Sequence, residues 1–243
     1  MNEIRMSNNK VITPEGLARL RDQHRAWLRN LDILDRPWLI FGSAPEPTVL
    51  EDVLRTCVRI DVNNSGRTAE LLGLGPADLT IRKRRKSWVE HPRLHTRALL
   101  WFHTAPWIIM RLQLVLKSQV RVGSLQKMTK DERNAIMDQI VGPIPRGVGK
   151  SKATNGVAAI CYGLWVGAPT IIVAGMSVSK MGHSYNDVGK TRKQIDEDMF
   201  ALRALSTLPN LFTTERELSE RTGLRLMTSS DYFASSPTAL PAR

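Results

Sequence analysis

The sequence predicts a single α/β domain built on a Rossmann-like parallel sheet, with helices on both faces and the ligand site at the carboxyl ends of the strands. Short apolar runs that end at glycine or asparagine alternate with segments of helical periodicity. This alternation is typical of parallel strands that are joined by right-handed crossovers. The length fits one large domain, so we expect residues 1–243 to form a single unit.

The first third of the chain predicts a helix, a buried strand and a glycine turn. Thr13-Pro14-Glu15 is typical of a helix start, because Thr13 can cap the helix and proline fits its first turn. The apolar run Pro37–Phe41 predicts a short strand, which Gly42-Ser43-Ala44-Pro45 ends. The next predicted elements are a helix over 47–55 and strands over 58–62 and 78–81.

The carboxyl-terminal half repeats this alternation. We expect Thr154 to cap a helix over 155–166, which Gly167 closes. The β-branched run Thr170–Ala174 predicts a buried strand that ends at Gly175. The remaining predicted elements are a helix around 195–205, strands over 211–213 and 224–227, and a short helix between those strands.

Residues 82–150 are less regular, and we predict that they form a basic lid or an acceptor-binding insert within the domain. The segment holds the densest cationic run of the chain, Arg82-Lys83-Arg84-Arg85-Lys86. It also holds His91, His95 and His103. One helix is predicted in it, over 130–140.

The charge balance favours polyanionic partners. Lysine and arginine number 35 against 23 aspartate and glutamate, which gives a formal net charge of +12. Such a field attracts nucleic acids, anionic lipid headgroups or phosphorylated substrates, although a solvated cationic surface has the same composition. A nucleic-acid-binding protein is less favoured, because only Trp88 lies near the cationic run and no docking motif accompanies it.

The cysteines and the apolar segments predict a cytosolic protein. Cys57 and Cys161 lie in apolar surroundings, and we expect reduced core residues rather than a disulfide. No apolar stretch is long enough to span a bilayer, and residues 1–10 lack the apolar core of a signal peptide. Peripheral contact with the anionic inner face of the membrane is a further expectation from the charge. Nothing in the sequence predicts the oligomeric state.

Two motifs that would indicate a nucleoside triphosphate or a metal ion are incomplete. Ahead of Gly149-Lys150-Ser151, Ile144 stands where a P-loop needs its first glycine. Asp196-Glu197-Asp198 has the spacing of a metal-binding acidic pair, but it falls inside a predicted helix, where residues two apart face different directions. We therefore interpret it as a solvated helix start and predict no metal site.

Polar residues follow the predicted strands at three turns, where ligands of open parallel sheets bind. These turns cover residues 42–45, 63–66 and 175–187. The third turn is the richest, since His183, Tyr185 and Asp187 combine an imidazole, a phenol and a carboxylate. The imidazole can act as a general base, and the phenol can donate a hydrogen bond to a leaving phosphate. A polar surface loop is the alternative interpretation.

The order and spacing of these motifs resemble the bacterial CMP-sialic-acid-dependent sialyltransferases and their wider superfamily. That family opens with a strand and a Gly-x-Gly-Pro turn, which here reads Gly42-Ser43-Ala44-Pro45. Its second strand ends at an asparagine that contacts the nucleotide, for which Asn63-Asn64 offers two candidates. A small-residue helix start follows at Thr154-Asn155-Gly156-Val157, and then a strand that ends at Gly175 and a loop with a phosphate-binding tyrosine, Tyr185.

Two features depart from the family pattern. The acidic nucleotide-binding residue that follows the strand glycine is replaced here by Ser177. The family's catalytic histidine comes after the tyrosine, whereas here that stretch contains Lys190, Arg192 and Lys193, and His183 precedes the tyrosine. Either His183 serves as the base from a shifted loop, or the chemistry differs.

The resemblance implies a metal-independent glycosyltransferase that uses a CMP-activated sugar, either sialic acid or a related ulosonic acid. The acceptor would be an anionic glycan or glycolipid, and no cofactor besides the donor would be needed. His183 would deprotonate the acceptor hydroxyl with help from Asp187, while Tyr185, with Lys190 or Arg192, would stabilise the departing phosphate. The nucleotide-binding residues that the resemblance implies are Gly42, Ser43, Ala44, Asn63, Asn64, Thr154, Asn155, Gly156, Gly175 and Ser177.

Two alternatives come from other functional classes. A pterin or nucleotide diphosphokinase on a related sheet would have a similar glycine turn and Asn-Gly helix start. It would need Mg²⁺ and carboxylates at strand ends, for which Asp61 and Asp187 are the candidates. A non-catalytic nucleic-acid-binding protein is supported by charge alone.

Overall fold

The computed structural model describes residues 12–84, 88–144, 152–185 and 194–228. In these ranges eight strands form one sheet, and every neighbouring pair of strands is parallel. The predicted parallel α/β fold is therefore confirmed. The strands are β1 (Trp38–Phe41), β2 (Val58–Val62), β3 (Ala77–Lys83), β4 (His95–Phe102), β5 (Arg121–Met128), β6 (Ile171–Ala174), β7 (Leu211–Thr213) and β8 (Arg225–Leu226).

Helices cover both faces of this sheet. Those of the described residues are α1 (Pro14–Arg29), α2 (Glu51–Thr56), α3 (Ser65–Leu71), α4 (Trp107–Val115), α5 (Lys130–Val141), α6 (Asn155–Val166), α7 (Ile195–Leu205) and α8 (Arg216–Thr222). Helices α1, α5, α6, α7 and α8 contribute to the core on one face. Helices α2, α3 and α4 pack on the other face.

The strand order, β5-β4-β3-β2-β1-β6-β7-β8, reverses once. The chain lays down β1 to β5 in one direction and then returns to place β6 on the other side of β1. In open parallel sheets the ligand crevice lies outside the carboxyl ends of the strands at this reversal. Phe41 is paired with Asp61 of β2 and with Ala174 of β6, so the three strands end level and the turns that follow them meet.

Both faces of the central strands are buried, which explains their continuous apolar sequences. All residues of β1 and β6 are buried. Trp38 and Ile40 pack toward α6, whereas Leu39 and Phe41 pack toward α2 and α3. Parallel strands that are covered on both faces show no polar alternation, and this property made them recognisable in the sequence.

The central segment contributes more to the sheet than its sequence predicts. Strands β4 and β5, with α4 between them, extend the sheet to one edge. The described part of residues 82–150 is therefore largely built into the fold. That part of the segment also covers the site or binds an acceptor stays a prediction.

The segment after β1 is the clearest local correction. The helix predicted over 47–55 is wrong at its start, because α2 covers only Glu51–Thr56. The backbone N–H of Thr48 donates to the Glu215 carboxylate at 2.9 Å, and its carbonyl accepts from the Thr214 hydroxyl at 2.6 Å. These bonds tie the segment to the turn after β7 and compete with helical hydrogen bonds.

The prediction that both cysteines are core residues without a disulfide is confirmed, and a histidine is buried in the core as well. Cys57 and Cys161 are buried free thiols, and burial raises the pKa of Cys161 to about 12. His24 is fully buried, its Nδ1 lies 2.9 Å from the Tyr162 hydroxyl, and burial lowers its pKa to about 4. Among the described helices, none combines the length and the apolar composition that crossing a bilayer requires.

Candidate active site

A cavity of about 850 Å³ lies at the carboxyl edge of the sheet. The turns after β1, β2, β3, β4 and β6 form its floor, and the amino-terminal ends of α5, α6 and α7 form one wall. The loop that carries His183 and Tyr185 closes another side. The position at the reversal of strand order is the one that the fold class predicts for a ligand site.

The two glycine turns of the floor pack against each other through their backbones. A Cβ atom at Gly42 would lie 2.2 Å from the carbonyl oxygen of Gly175. Gly175 has a φ of +63°, and a Cβ there would lie 2.7 Å from the carbonyl oxygen of Gly42. Neither position can carry a side chain without moving its partner, so both glycines are required by this contact.

The turn after β1 is only partly available to a ligand. Gly42 and Ser43 line the cavity, whereas Ala44 is buried and outside the lining. The backbone N–H groups of Gly42 and Ala44 donate to the carbonyls of Ala174 and Gly175, each at 2.8 Å. These two backbone N–H groups are therefore used within the protein, and Ser43 offers the accessible polar group of the turn. That Gly42 and Ala44 contact the nucleotide stays a prediction.

The two asparagines after β2 have different roles. Asn63 lines the cavity with a φ of +58°, and its Oδ1 accepts from Asn155 Nδ2 and from the backbone N–H of Lys83, each at 3.1 Å. Its amide nitrogen is then the group that a ligand can contact. Asn64 is buried, accepts from Arg82 at 2.6 Å and donates to Glu90 at 2.8 Å. The Asn64 amide therefore holds the β2–β3 edge together and does not line the cavity, and nucleotide contact by Asn64 stays a prediction.

The start of α6 opens into the cavity. Thr154, Asn155 and Gly156 all line it. Thr154 is the N-cap residue, as predicted, but its side chain makes no capping hydrogen bond. The first backbone N–H groups of this twelve-residue helix therefore belong to cavity-lining residues and donate to no capping oxygen of Thr154, and the helix dipole adds positive potential. This is the best anion-binding position in the described part of the cavity.

Two long-range contacts fix this helix start. Asp198 accepts the backbone N–H of Thr154 at 2.7 Å, and Asn155 Oδ1 accepts from Arg133 at 2.9 Å. The interpretation of Asp196-Glu197-Asp198 as a solvated helix start holds for Asp196 alone, since Glu197 and Asp198 are buried. Asp198 instead anchors α6, and it is the only carboxylate among the described lining residues.

The loop after β6 brings His183 and Tyr185 into the cavity side by side. His183 Nδ1 lies 2.8 Å from Ser43 Oγ, and the backbone N–H of Ser184 donates to the Ser43 carbonyl at 3.0 Å. The His183 and Tyr185 rings are stacked, with centroids 5.2 Å apart and planes inclined by 8°. The Arg67 guanidinium lies 5.4 Å from the Tyr185 ring centroid. Asp187, Lys190 and Arg192 lie outside the described residues.

Ser177 does not reach the cavity. Its hydroxyl donates to Glu217 at 2.8 Å and accepts the backbone N–H groups of Ser179 and Lys180 at 3.1 and 2.8 Å. Ser177 is buried, and its hydrogen bonds stabilise the turn in which it lies. The hydrogen-bonding capacity of Ser177 is therefore used within the protein, and nucleotide binding by Ser177 stays a prediction.

Sequence analysis placed Lys83 and Arg84 in a cationic run but assigned none of the other basic residues of the cavity to a site. The five basic residues that line the cavity are Lys83, Arg84, Lys130, Arg133 and Lys152. Burial lowers the pKa of Arg133, and burial together with the neighbouring Lys130 lowers the pKa of Lys152. Lys83 ends β3 and Lys130 begins α5 directly after β5. Ligand sites of parallel sheets lie beyond the carboxyl ends of strands, so recognising β5 in the sequence would have made Lys130 a candidate site residue.

Arg82, the first residue of the cationic run, is buried, whereas Lys83 and Arg84 are exposed. It donates to the Asn63 carbonyl at 3.0 Å, and its guanidinium lies 4.0 Å from the Trp88 ring centroid. Burial lowers its pKa to about 10, while nearby Tyr185 and Glu90 oppose the shift. Arg82 therefore holds the turn after β2, which forms part of the cavity floor.

His103 is a second histidine in the cavity. It follows β4, is buried and accepts the backbone N–H of Ala105 on Nδ1 at 2.9 Å. Burial lowers its pKa, with a further contribution from Arg84 and opposition from Gln113. A neutral ring whose Nδ1 accepts a hydrogen bond carries its proton on Nε2, so His103 is a hydrogen-bond donor there.

Among the described residues, no group of three or more His, Cys, Asp or Glu side chains could hold a metal ion. Asp61, a candidate Mg²⁺ ligand, is outside the cavity lining and forms an ion pair with Arg59 at 3.0 Å. Burial raises the pKa of Asp61 to about 6, and Arg59 opposes the shift. Metal independence itself stays a prediction.

Comparisons with known proteins agree with the remote resemblance. No protein-family model and no curated protein matches the chain. The monofunctional α-2,3-sialyltransferase Cst-I from Campylobacter jejuni is 10% identical, with coverage of 91% of this chain and 85% of that chain and a TM-score of 0.47. The sialyltransferase CstII from the same organism, in complex with the substrate analogue CMP-3FNeuAc, is 10% identical, with coverage of 79% and 86% and a TM-score of 0.40.

The similarity to sialyltransferases is confirmed as a remote one. At these identities and TM-scores it carries no argument about the chemistry of this chain. The fold rests on the strand order given above, and the site rests on the contacts of its own residues.

Proposed function

We propose that this chain is a glycosyltransferase that transfers a sugar from a CMP-activated donor, with sialic acid or a related ulosonic acid as the sugar. One observation carries the proposal. The cavity joins an uncapped helix amino terminus, which suits a phosphate, to a histidine and a tyrosine on the opposite loop. This set would provide an anion site, a general base and a hydrogen-bond donor in one place.

The donor nucleotide would occupy the side formed by β1, β2 and α6. Its phosphate would accept from the first backbone N–H groups of α6, beside Thr154 and Gly156. The amide nitrogen of Asn63 and the hydroxyl of Ser43, both in the cavity lining, would contact the remainder of the nucleotide. Amides and hydroxyls can hydrogen-bond the edge of a base without requiring a charge, so they suit the neutral cytosine of the donor.

The reaction requires one bond to form and one to break. The acceptor oxygen would attack the anomeric carbon, and the bond from that carbon to the donor phosphate oxygen would break. His183 would take the proton of the acceptor hydroxyl. This role needs an unprotonated Nε2, which follows when His183 Nδ1–H donates to Ser43 Oγ. Ser43 would therefore orient the His183 ring. Asp187, which lies outside the described residues, keeps the assisting role expected from the sequence.

The departing phosphate gains negative charge, and the site would stabilise it without a metal ion. The Tyr185 hydroxyl would donate to it, together with the amino terminus of α6. Lys190 and Arg192 remain the expected cations on that side. The described residues add Lys152, which lies two residues before the α6 N-cap Thr154 and lines the cavity.

The acceptor would occupy the cationic side formed by β3, β4 and α5. Lys83, Arg84 and Lys130 are exposed cations at this end. They favour an acceptor that carries a carboxylate or a phosphate, such as an anionic glycan or glycolipid. His103 is not the base in this assignment, because its Nε2 already carries a proton.

The diphosphokinase alternative is weakened by one contact. It needs a strand-end carboxylate that faces the cavity, and Asp61 is instead buried against Arg59. A cytosolic location, with peripheral attachment to the inner face of the membrane, is a further part of the proposal. The buried free cysteines and the net charge of +12 support it.

Calorimetric titration with CMP in EDTA tests the proposal. We expect binding without metal and a loss of about tenfold in affinity for Asn63→Ala, since one hydrogen bond to a nucleotide is worth about 1.4 kcal/mol. Asn210→Ala is the matched control, because Asn210 precedes β7 at the opposite edge of the sheet. No heat with CMP, together with Mg²⁺-dependent binding of ATP, would replace this proposal with the diphosphokinase.

A further inference from the structure

Helix α4 exposes an apolar face to solvent. Ile108, Ile109, Leu112, Val115 and Leu116 are all exposed, Ile108 by 82% and Val115 by 79%. Their spacing of i, i+1, i+4, i+7 and i+8 places them in one stripe along the helix. We call these five residues the α4 face. Single exposed apolar residues need no explanation, but a continuous stripe indicates a contact surface.

The sheet does not account for this face. Helix α4 already packs against the sheet through Met110 and Leu114, which belong to the buried cluster around Leu99, Trp101 and Leu125. The α4 face lies on the other side of the helix and has no part in that cluster. Helix α4 therefore has more apolar surface than packing in the described fold requires.

The surroundings of the α4 face are cationic. The chain from His91 to Lys130 contains no aspartate or glutamate. Arg111 lies on the helix and is exposed, and the half-buried Lys117 and the exposed Arg121 follow its carboxyl end. Trp107 begins the helix, with Arg111 at 5.3 Å from its ring centroid. An apolar stripe that is bordered by arginine, lysine and tryptophan is the composition of helices that lie in a membrane interface.

We propose that the α4 face binds an anionic membrane surface, with α4 parallel to the bilayer plane. Ile108, Leu112 and Val115 would enter the boundary between the headgroups and the acyl chains. Arg111 and Arg121 would contact the lipid phosphates. The two contributions reinforce each other, because apolar burial holds the helix in the interface and each cation near an anionic surface adds attraction.

A second copy of this chain fits the α4 face less well than a lipid surface. A two-fold interface would place each residue of the patch against the patch of the partner copy. Arg111, Lys117 and Arg121 of both copies would then lie close together, with no carboxylate from residues 91–130 to compensate them. Anionic headgroups supply the opposite charge that a second copy lacks.

The position of the α4 face also relates it to the cavity. Thr104 lines the cavity, and Ile108 follows it by four residues, a span of at most about 14 Å. A bilayer on the α4 face would therefore lie near the cationic side of the cavity. The inference that the acceptor is lipid-linked rests on the proposed function, but membrane binding itself does not.

Vesicle sedimentation of the full chain tests the proposal. Wild type should bind vesicles of phosphatidylcholine with phosphatidylglycerol, and bind phosphatidylcholine alone much more weakly. Ile108→Ser with Val115→Ser should lower the partition coefficient at least tenfold. The matched control is Leu71→Ser with Leu72→Ser, which removes two exposed apolar residues at the end of α3 and should stay within twofold of wild type. Arg111→Ser should lower partition about fivefold, the effect of one cation near an anionic surface.

Equal partition of the α4 variant and the control variant would overturn the proposal. So would a wild-type dimer, seen by analytical ultracentrifugation, that the α4 variant converts to a monomer while vesicle binding is unchanged. Stronger binding of wild type to duplex DNA than to anionic vesicles would do the same. Affinity for CMP in the α4 variant distinguishes the two proposals, because it should equal that of wild type whenever the fold is intact.

Discussion

The two sides of the cavity are built in different ways. On the side of β1, β2 and α6, amide and hydroxyl groups hold one another: Asn63 is bonded to Asn155, and Ser43 is close to His183. On the side of β3, β4 and α5, the accessible polar groups are cations such as Lys83 and Lys130. The first side is organised before a ligand arrives, whereas the second provides charge.

Because of this difference, we expect the first side to determine which ligand binds and the second side to attract anionic ligands in general. Pre-positioned neutral donors and acceptors discriminate between ligands by geometry, because each misplaced ligand atom leaves a buried group unpaired. Exposed cations attract any anion, and salt screens their effect. We therefore assign the sugar nucleotide to the neutral side and an anionic acceptor to the cationic side, and the variants below test that division.

The largest expected effect is that of His183→Ala. If His183 is the base, this variant should lower CMP release from CMP-sialic acid in the presence of acceptor by about 10²- to 10⁴-fold. CMP affinity should be nearly unchanged, since the base contacts the acceptor. His95→Ala, an exposed histidine at the start of β4, is the matched control.

The pH profile gives this prediction a second measurement. Wild-type turnover should rise with pH through the imidazole range, because only the neutral ring accepts a proton. The ascending limb should disappear in His183→Ala and be retained in His95→Ala. Full turnover with the same limb in His183→Ala would exclude His183 as the base.

The parts of the fold that sequence analysis predicted are those with uniform surroundings. Strands β1 and β6 are buried on both faces, so their sequences are continuously apolar. Strand β5 lies at an edge, and most of its residues are half-buried or exposed, including Arg121. Helix α4 is apolar on two sides and so lacks a clear amphipathic period. Because of these mixed environments, no clear hydrophobic period predicts the β4–α4–β5 unit from the sequence.

The site shows the same limit at the level of single residues. Gly42 and Gly175 were predicted correctly as part of the cavity, but a contact between them, rather than a phosphate, requires glycine. Asn63 and Asn64 cannot be distinguished in sequence, because the positive φ of Asn63 decides which amide faces the cavity. Asp198 contacts Thr154 across 44 residues, a distance that no local pattern encodes.

Tyr185→Phe should have the next largest effect. The variant keeps the ring that stacks on His183 and removes only the hydroxyl. A hydrogen bond to a charged phosphate is worth about 1.5–3 kcal/mol, so turnover should fall about 10- to 150-fold. Single-turnover measurements with saturating donor would check this. A change in CMP affinity without a change in turnover would place the hydroxyl on the bound nucleotide instead of the leaving phosphate.

Substitutions on the cationic side should have a smaller effect, and they should change KM for an anionic acceptor rather than turnover. Lys83→Ser with Lys130→Ser should raise KM about tenfold for a sialylated trisaccharide, because each exposed ion pair contributes up to about 1 kcal/mol. KM for lactose, which is neutral, should stay within about twofold, and so should CMP affinity. The effect on the sialylated acceptor should shrink in high salt. Equal losses for both acceptors would end the division of the cavity into a neutral and a cationic side.

The smallest expected effect distinguishes His103 from His183. His103→Gln keeps a donor near the position of Nε2 and should retain turnover within about twofold, whereas His103→Ala removes a neutral hydrogen bond and should lose about two- to tenfold.

The pH dependence of stability gives an independent measurement of His103, and the direction of its change is defined. Burial lowers the pKa of His103 in the folded protein, so the unfolded chain binds a proton first as pH falls below the ordinary histidine pKa. The free energy of unfolding should therefore decrease between neutral pH and about pH 5.5, and this decrease should be smaller in His103→Gln, as thermal melts at both pH values would show. His95→Gln serves as the control, and an identical decrease in all three proteins would mean that His103 does not titrate as a buried neutral group.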